Sequence, residues 1–211
     1  MSNFFASQIF VEISVAIILI LSLGLTLIMS KRYFKSKSKP LLFWSSGMWF
    51  FTFGVLLELL FSFNYYFRSI GDLYLLSVSL IVELLAMGSV QLYNSKKLTN
   101  YYAGFMVLST IILIYSLISS NIGNILDHYI VYSVLPLSVV LASSLVTFPA
   151  AILLILIAAI SYKKKRNYKM LSIIIGVIIV AMAGTLYIVE IPVFLYYSEF
   201  IGILLLWYGF I

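Results

Sequence analysis

Long blocks of hydrophobic residues, separated by short polar stretches, dominate the chain. A helix that crosses a bilayer needs about 20 apolar residues, because each residue rises about 1.5 Å through roughly 30 Å of hydrocarbon. Seven blocks reach that length and predict an all-α, polytopic membrane protein: a seven-transmembrane-helix bundle formed as one domain by residues 1–211. The predicted spans are approximately 8–29, 41–63, 73–93, 101–119, 144–162, 170–189 and 193–211.

The apolar stretch 129–162 is too long for a single ordinary span. It contains Pro136 and Pro149, and proline breaks or bends a helix unless it lies in the first turn. We therefore place the fifth span at 144–162, with Pro149 bending its outer end. We expect the preceding part, 129–143, to form an interfacial or partly buried outer segment.

Positive charge is concentrated in three polar stretches, 31–39, 94–100 and 163–169. Twelve of the thirteen Lys and Arg residues lie there, and Arg68 is the exception. Short cytoplasmic loops of membrane proteins are rich in Lys and Arg, so these stretches are predicted to face the cytoplasm. This assignment places the N-terminus outside and the C-terminus inside, in a multi-pass protein of the plasma membrane.

The composition argues against an enzyme. Only 9% of the residues are charged and 64% are hydrophobic, which leaves almost nothing for a soluble domain. The chain has no cysteine and a single histidine, His128, so thiolate or multi-histidine metal centres are not expected. No hydrolase or phosphate-loop motif is present. We therefore expect no catalytic residue, no metal and no cofactor, and nucleic acid is not an expected partner.

The acidic residues are the candidates for function. A carboxylate in hydrocarbon costs several kcal/mol, so acids inside membranes usually face the bundle interior, a wet cavity or a partner. Glu83 falls near the middle of the third span. The other acids lie in the outer half or in outer loops under the predicted topology: Glu12, Glu58, Asp72, Asp127, Glu190 and Glu199.

Helical spacing places small residues beside several of these acids, a pattern typical of closely packed membrane helices. In the second span Glu58 shares a face with Gly47, Phe51 and Gly54. The corresponding sets are Ser79, Glu83 and Ala86 in the third span, Gly176, Ala183, Tyr187 and Glu190 in the sixth, and Glu199 and Gly202 in the seventh.

The acids support two interpretations. In the first, an outward-open cavity binds a cation or protons, and its lining acids are Glu58, Glu83, Glu190 and Glu199. In the second, the acids have no transport role. Glu12, Glu58 and Glu190 then lie at headgroup depth, and Glu83 makes a structural hydrogen bond between helices.

Two further patterns have structural explanations. Arg68 and Asp72 are four residues apart and form an ion pair if that loop is helical. Tyrosine and tryptophan cluster near both predicted interfaces, as in the aromatic belts of membrane proteins, although a ligand cage is the alternative.

Part of the chain carries motifs of a recognisable kind: Trp44 and Trp49 in an aromatic second helix, Glu58 at its outer end, D-L-Y at 72–74, A-M-G-S-V-Q-L-Y at 86–93 and Y-G-F at 208–210. These features resemble an uncharacterised group of small prokaryotic seven-span membrane proteins, which has no assigned activity to transfer. Microbial rhodopsins and the sugar-transporting SWEET proteins share the topology only. Residues 193–211 contain no lysine for a retinal Schiff base.

Three functions remain open from the sequence. The first is a transporter or channel-like protein for a small solute, cation or proton, in which Glu83→Gln abolishes coupling. The second is a non-catalytic membrane subunit or receptor-like scaffold, with the bilayer, other membrane proteins or further copies of the chain as partners. The third is a binder of a lipid, quinone or pigment.

Overall fold

The computed structural model describes residues 8–127, 130–131, 135–165, 168–169, 171–173, 175–176, 178–179 and 192–210. These residues form seven helices and one short hairpin of strands, so the predicted all-α class is confirmed apart from the hairpin. The helices are α1 (Gln8–Ser36), α2 (Lys39–Ser62), α3 (Arg68–Tyr93), α4 (Lys96–Ser119), α5 (Leu137–Lys165), α6 (the helical residues among 168–179) and α7 (Pro192–Phe210). The hairpin pairs β1 (Leu126–Asp127) with β2 (Ile130–Val131) in antiparallel register.

Five of these helices, α1 to α5, are long and apolar enough to cross a membrane. Their outward faces carry large apolar side chains such as Ile20, Ile118 and Ile152, which are more than half exposed. Exposed aliphatic faces of this length match hydrocarbon and are costly in water. The apolar stretch of α7, Leu195–Phe210, is shorter. Most of the predicted sixth span, 170–189, lies outside the described residues.

The bundle is organised around α3, which packs against α2, α4 and α5. Small residues allow α2 to approach it closely. A Cβ atom placed on Gly47 would lie 3.2 Å from the Cγ atom of Leu85 and 3.3 Å from the carbonyl oxygen of Ile81. Close approach of backbones through glycine is the usual way in which membrane helices maximise their van der Waals contact.

Although they are far apart in sequence, α1 and α7 lie side by side and run in the same direction. The indole Nε1 of Trp207 donates a hydrogen bond of 2.9 Å to the carbonyl of Leu21. Nearer the C-terminal ends of both helices, the Arg32 guanidinium donates to the carbonyl of Phe210. These contacts show that α1 and α7 are parallel to each other.

The two ends of the bundle differ in character. Residues 37–38 and 94–95 connect helices at one end, which we call the basic end because Lys-rich and Arg-rich segments flank it. Residues 63–67 and the hairpin lie at the opposite end, which we call the hairpin end. Asn64 and Asn94, one at each end, adopt left-handed φ angles of 62° and 58°. Asparagine enters this conformation more readily than most other non-glycine residues, so it suits a helix terminus.

The fifth helix begins earlier than the sequence predicted. It starts at Leu137, before the predicted start of the fifth span at Ser144, and part of the segment expected to be interfacial is helical. Pro136 lies just before the helix, and its carbonyl accepts a hydrogen bond of 2.9 Å from the amide of Val139. A proline in this position starts a helix and does not break it. The helix also continues through Pro149, because neighbouring helices support an interrupted ladder inside a membrane bundle.

Candidate functional site

Glu58 lies on the buried face of α2 that helical spacing predicted. Gly47, Phe51 and Gly54 on the same face are also buried, and Glu58 is only 3% exposed. It lies four residues before the end of α2, which corresponds to about 6 Å along the helix axis. This burial argues against the interpretation in which Glu58 is a solvated residue at headgroup depth.

Glu199 approaches Glu58 from the opposite helix. It lies on the buried face of α7 with Gly202, and it is 7% exposed. The side-chain carboxyls of Glu199 and Glu58 are close enough to hydrogen-bond to each other. The structure thus brings together two of the acids that the sequence singled out separately.

A hydrogen bond between two carboxyls requires a proton. An ionised carboxylate only accepts hydrogen bonds, so one of the two acids must be protonated to donate. Two ionised carboxylates in a low-dielectric site repel each other and lose their hydration. A hydrogen bond between the Glu58 and Glu199 carboxyls therefore requires one proton shared by the two acids.

A tyrosine of α3 orients this pair. The hydroxyl of Tyr74 donates a hydrogen bond of 2.6 Å to Oε1 of Glu58, and Tyr74 itself is 5% exposed. Apart from the carboxyls themselves, no donor on a described residue reaches Oε2 of Glu58 or Oε2 of Glu199. The Tyr74 contact leaves the second oxygen of Glu58 available to Glu199. Sequence spacing did not identify Tyr74, because its role depends on a partner in another helix.

Glu83 has a different environment. It is fully buried in α3, and both of its carboxyl oxygens face hydroxyls of α4. Ser109 Oγ lies 2.7 Å from Oε1, and Thr110 Oγ1 lies 3.1 Å from Oε2. The hydroxyl of Tyr102 also donates to the backbone carbonyl of Glu83, at 3.3 Å. Glu83 thus joins α3 to α4, as in the structural interpretation of the sequence.

The geometry around Ser109 suits a neutral Glu83. Ser109 Oγ also lies 2.8 Å from the carbonyl of Phe105 in the preceding turn of α4. A hydroxyl has one hydrogen and donates to only one acceptor at a time. When Ser109 donates to Phe105, its contact with Glu83 is a hydrogen bond only if the carboxyl of Glu83 carries the proton.

The four acids of the predicted cavity therefore do not form one common site. Glu58 and Glu199 meet, Glu83 bonds to α4, and Glu190 lies outside the described residues, as does His128. Among the residues that the structure describes, no group of three or more acidic or histidine side chains is arranged to hold a metal ion.

A cleft opens between α1 and α7 near the hairpin end. Its volume is about 170 Å³, and its walls are mainly aromatic and aliphatic. The lining residues are Phe10, Ser14, Ile17, Ile18, Tyr196, Tyr197 and Phe200. The rings of Phe10 and Tyr197 lie 6.3 Å apart across it. Sequence patterns did not predict this cleft, because its walls come from distant parts of the chain.

Among the described basic residues, Arg68 alone lies away from the basic end, and its contacts are structural. Its Nε atom lies 3.8 Å from Oδ2 of Asp72, so the predicted ion pair is confirmed. Its Nη2 atom also donates a hydrogen bond of 2.7 Å to the carbonyl of Ser120, just beyond α4. Tyr66 donates a further bond of 2.9 Å to the carbonyl of Gly123. Partial burial raises the pKa of Tyr66, which keeps the phenol neutral and able to donate.

The fold and the site define an α-helical protein with membrane-length helices and a buried pair of carboxyls near one end. Comparison with protein-family models, with curated proteins and with solved structures found no match to the chain. The function is therefore inferred from the geometry of the site.

Proposed function

We propose that the protein is a small transporter that exchanges protons for a cation at the Glu58–Glu199 pair. The supporting observation is that two buried carboxyls meet while their Oε2 atoms have no other donor among the described residues. Leaving both acids ionised and unpaired is costly, so the pair holds either a proton or another cation. Such a site couples release of the proton to binding of the other cation. We assign it no catalytic step.

The position of the pair supports access from the hairpin end. Glu58 lies about 6 Å from the end of α2, and Glu199 lies about 10 Å from the start of α7. A proton or cation therefore reaches the pair without crossing the whole bundle. Release toward the basic end requires movement of the helices around the pair, as in transporters with alternating access.

We also propose that the chain spans the plasma membrane seven times, with the N-terminus outside. The parallel contact of α1 with α7 supports an odd number of spans between and including these helices. The clustering of Lys and Arg at the basic end supports a cytoplasmic location for that end.

Cysteine labelling tests this topology directly, because the natural chain contains no cysteine. Single substitutions are made at exposed positions, Ser69→Cys and Asn121→Cys at the hairpin end and Ser36→Cys, Lys97→Cys and Tyr168→Cys at the basic end. A membrane-impermeant maleimide should label the first two in intact cells. The other three should react only after permeabilisation.

The reverse pattern would place the basic end outside and contradict the proposed orientation. Labelling of Tyr168→Cys in intact cells, together with protection of Lys97→Cys, would show that an odd number of spans joins them. That result would contradict the proposed seven-span topology.

Proton exchange is measured in proteoliposomes that contain a pH-sensitive dye. Outward gradients of Na⁺, K⁺ or guanidinium, a cation that stays protonated at every accessible pH, are imposed in turn. At least one gradient should drive proton movement through the wild-type protein. Glu58→Gln and Glu199→Gln should each reduce the rate by about tenfold or more, because a neutral amide holds no exchangeable charge.

Two controls define the role of the pair. Glu12→Gln removes a half-buried acid of α1 outside the pair, and it should exchange protons at the wild-type rate. Glu83→Gln should also exchange, since we assign Glu83 to helix packing. The proposal fails if no cation moves protons through folded wild-type protein, or if the double variant of Glu58 and Glu199 matches the wild-type rate.

The bonding of Glu83 favours a second candidate, a non-catalytic membrane subunit. An acid used to join α3 to α4 is consistent with a bundle built for packing. On α4, Gly104 has open space where a Cβ atom would lie, and the apolar neighbours Val107 and Leu108 are exposed. A folded protein without exchange in the flux experiment would favour this candidate.

A further inference from the structure

The cleft between α1 and α7 lies beside the proposed exchange site. Tyr196 lines the cleft and is only 3% exposed, and it shares the buried face of α7 with Glu199 one turn further along. Phe200, the residue next to Glu199, lines the cleft as well. The cleft and the carboxyl pair are therefore formed in part by neighbouring residues of the same helix, α7.

The chemistry of the two neighbouring regions differs and is complementary. The cleft is aromatic and aliphatic, and its volume of about 170 Å³ is close to that of a cavity that holds one benzene ring. The carboxyl pair carries negative charge whenever its proton leaves, and no ion pair among the described residues includes either acid. Together they provide an apolar compartment and an adjacent site for a positive charge.

We propose, building on the proposed exchange function, that the cation is an organic ammonium with an apolar body the size of one aromatic ring. The ring occupies the cleft, and Tyr196 contacts the ligand between its apolar and charged parts. The ammonium group replaces the shared proton of Glu58 and Glu199, and that proton is released to water. Aromatic faces attract ammonium groups and strengthen this placement.

The charged groups around the pair agree with this assignment. Glu58 of α2 faces Glu199 of α7, and the Tyr74 hydroxyl of α3 donates a hydrogen bond to Glu58. Glu12 of α1 is half-buried and does not line the cleft. Binding of one ammonium to the singly protonated pair therefore releases one proton and conserves the total charge of the site.

Phenethylammonium is the probe, and calorimetric titration of the full chain in lipid nanodiscs measures its binding. The wild-type protein should bind it at least about tenfold more tightly than 2-phenylethanol, the neutral analogue with the same ring. Titrations in two buffers of different ionisation heat should show release of about one proton per ligand, as linkage at a singly protonated site requires.

Variants separate the cleft from the pair. Ser14→Phe fills the cleft and should weaken probe binding by about tenfold or more, and Glu199→Gln should do the same by removing the charge. The matched controls are Ile20→Phe, an exposed position of α1 outside the cleft, and Glu12→Gln. Both controls should bind the probe within about twofold of wild type.

Each outcome decides the inference. Equal binding of the alcohol, unchanged binding by Ser14→Phe, or absence of proton release would overturn it. Proton release is measured on the wild-type protein, so the test stands even if a variant fails to fold. If the probe does not bind but Na⁺, K⁺ or guanidinium still drives exchange, only this inference fails. If the probe binds and no cation drives exchange, the transport proposal fails.

Discussion

Gly88→Ala should destabilise the bundle by about 1–3 kcal/mol, the cost of forcing an extra methyl group into a filled site. The new Cβ atom would overlap the indole ring of Trp44 and lie 3.0 Å from the carbonyl oxygen of Pro40. The ring cannot move away easily. Its Nε1 donates a hydrogen bond of 3.1 Å to the carbonyl of Leu85, and its ring centroid lies 5.3 Å from that of Phe210, with the two rings tilted by 59°.

Gly104→Ala is the matched control, because it makes the same change in a neighbouring helix. No atom lies within 4 Å of its added Cβ, so the higher helix propensity of alanine should leave stability unchanged or raised by up to about 1 kcal/mol. Denaturant unfolding in mixed micelles measures the stability of both variants. Equal effects of the two substitutions would contradict the close packing of α2 on α3.

Ser109→Ala combined with Thr110→Val should cost about 2–4 kcal/mol, since it leaves the buried carboxyl of Glu83 without its hydroxyl partners. Adding Glu83→Leu to that double variant should restore most of the lost stability. The restoration follows because removing both sides of a buried polar contact costs much less than removing one side. Denaturant unfolding in mixed micelles measures the stability of the wild type, the double variant and the triple variant.

Ser116→Ala is the control for this series. Ser116 is buried in α4, and no described residue provides a hydrogen-bond partner for its hydroxyl. Its loss should change stability by no more than about 0.5 kcal/mol. If Glu83→Leu failed to rescue the double variant, the stability would depend on the α4 hydroxyls themselves, and the assignment of Glu83 as a link between helices would be wrong.

The sequence predicted what depends on local pattern. Apolar blocks of membrane length located α1 to α4, and helical spacing placed Glu58 on the buried face of α2. The spacing of Arg68 and Asp72 predicted their ion pair. Each of these features is determined by residues within a few turns of one another, where chain geometry is known in advance.

What the sequence missed depends on contacts between distant segments. Nothing within α2 indicates that Glu58 meets Glu199, or that Tyr74 donates to it. The sequence did not predict that α5 begins at Leu137, because Pro136 allows two interpretations, a break within a helix or the position before its first turn. Local pattern does not choose between them. In the structure Pro136 precedes the first turn of α5, and Val139 and Ala142 of that helix pack against the bundle.

The contact of α7 with α1 and α2 has a consequence for biosynthesis. During synthesis Glu58 enters the membrane with α2, long before its partner Glu199 exists. At roughly 5–20 residues per second, the ribosome needs on the order of ten seconds to make the chain between Ser62 and Pro192. Throughout that interval Glu58 has no carboxyl partner. The surface of α1 and α2 that later contacts α7 has not yet been covered by that helix. The Glu58–Glu199 pair is therefore assembled late, and nascent chains that stop before α7 expose an unpartnered acid for membrane quality control to recognise.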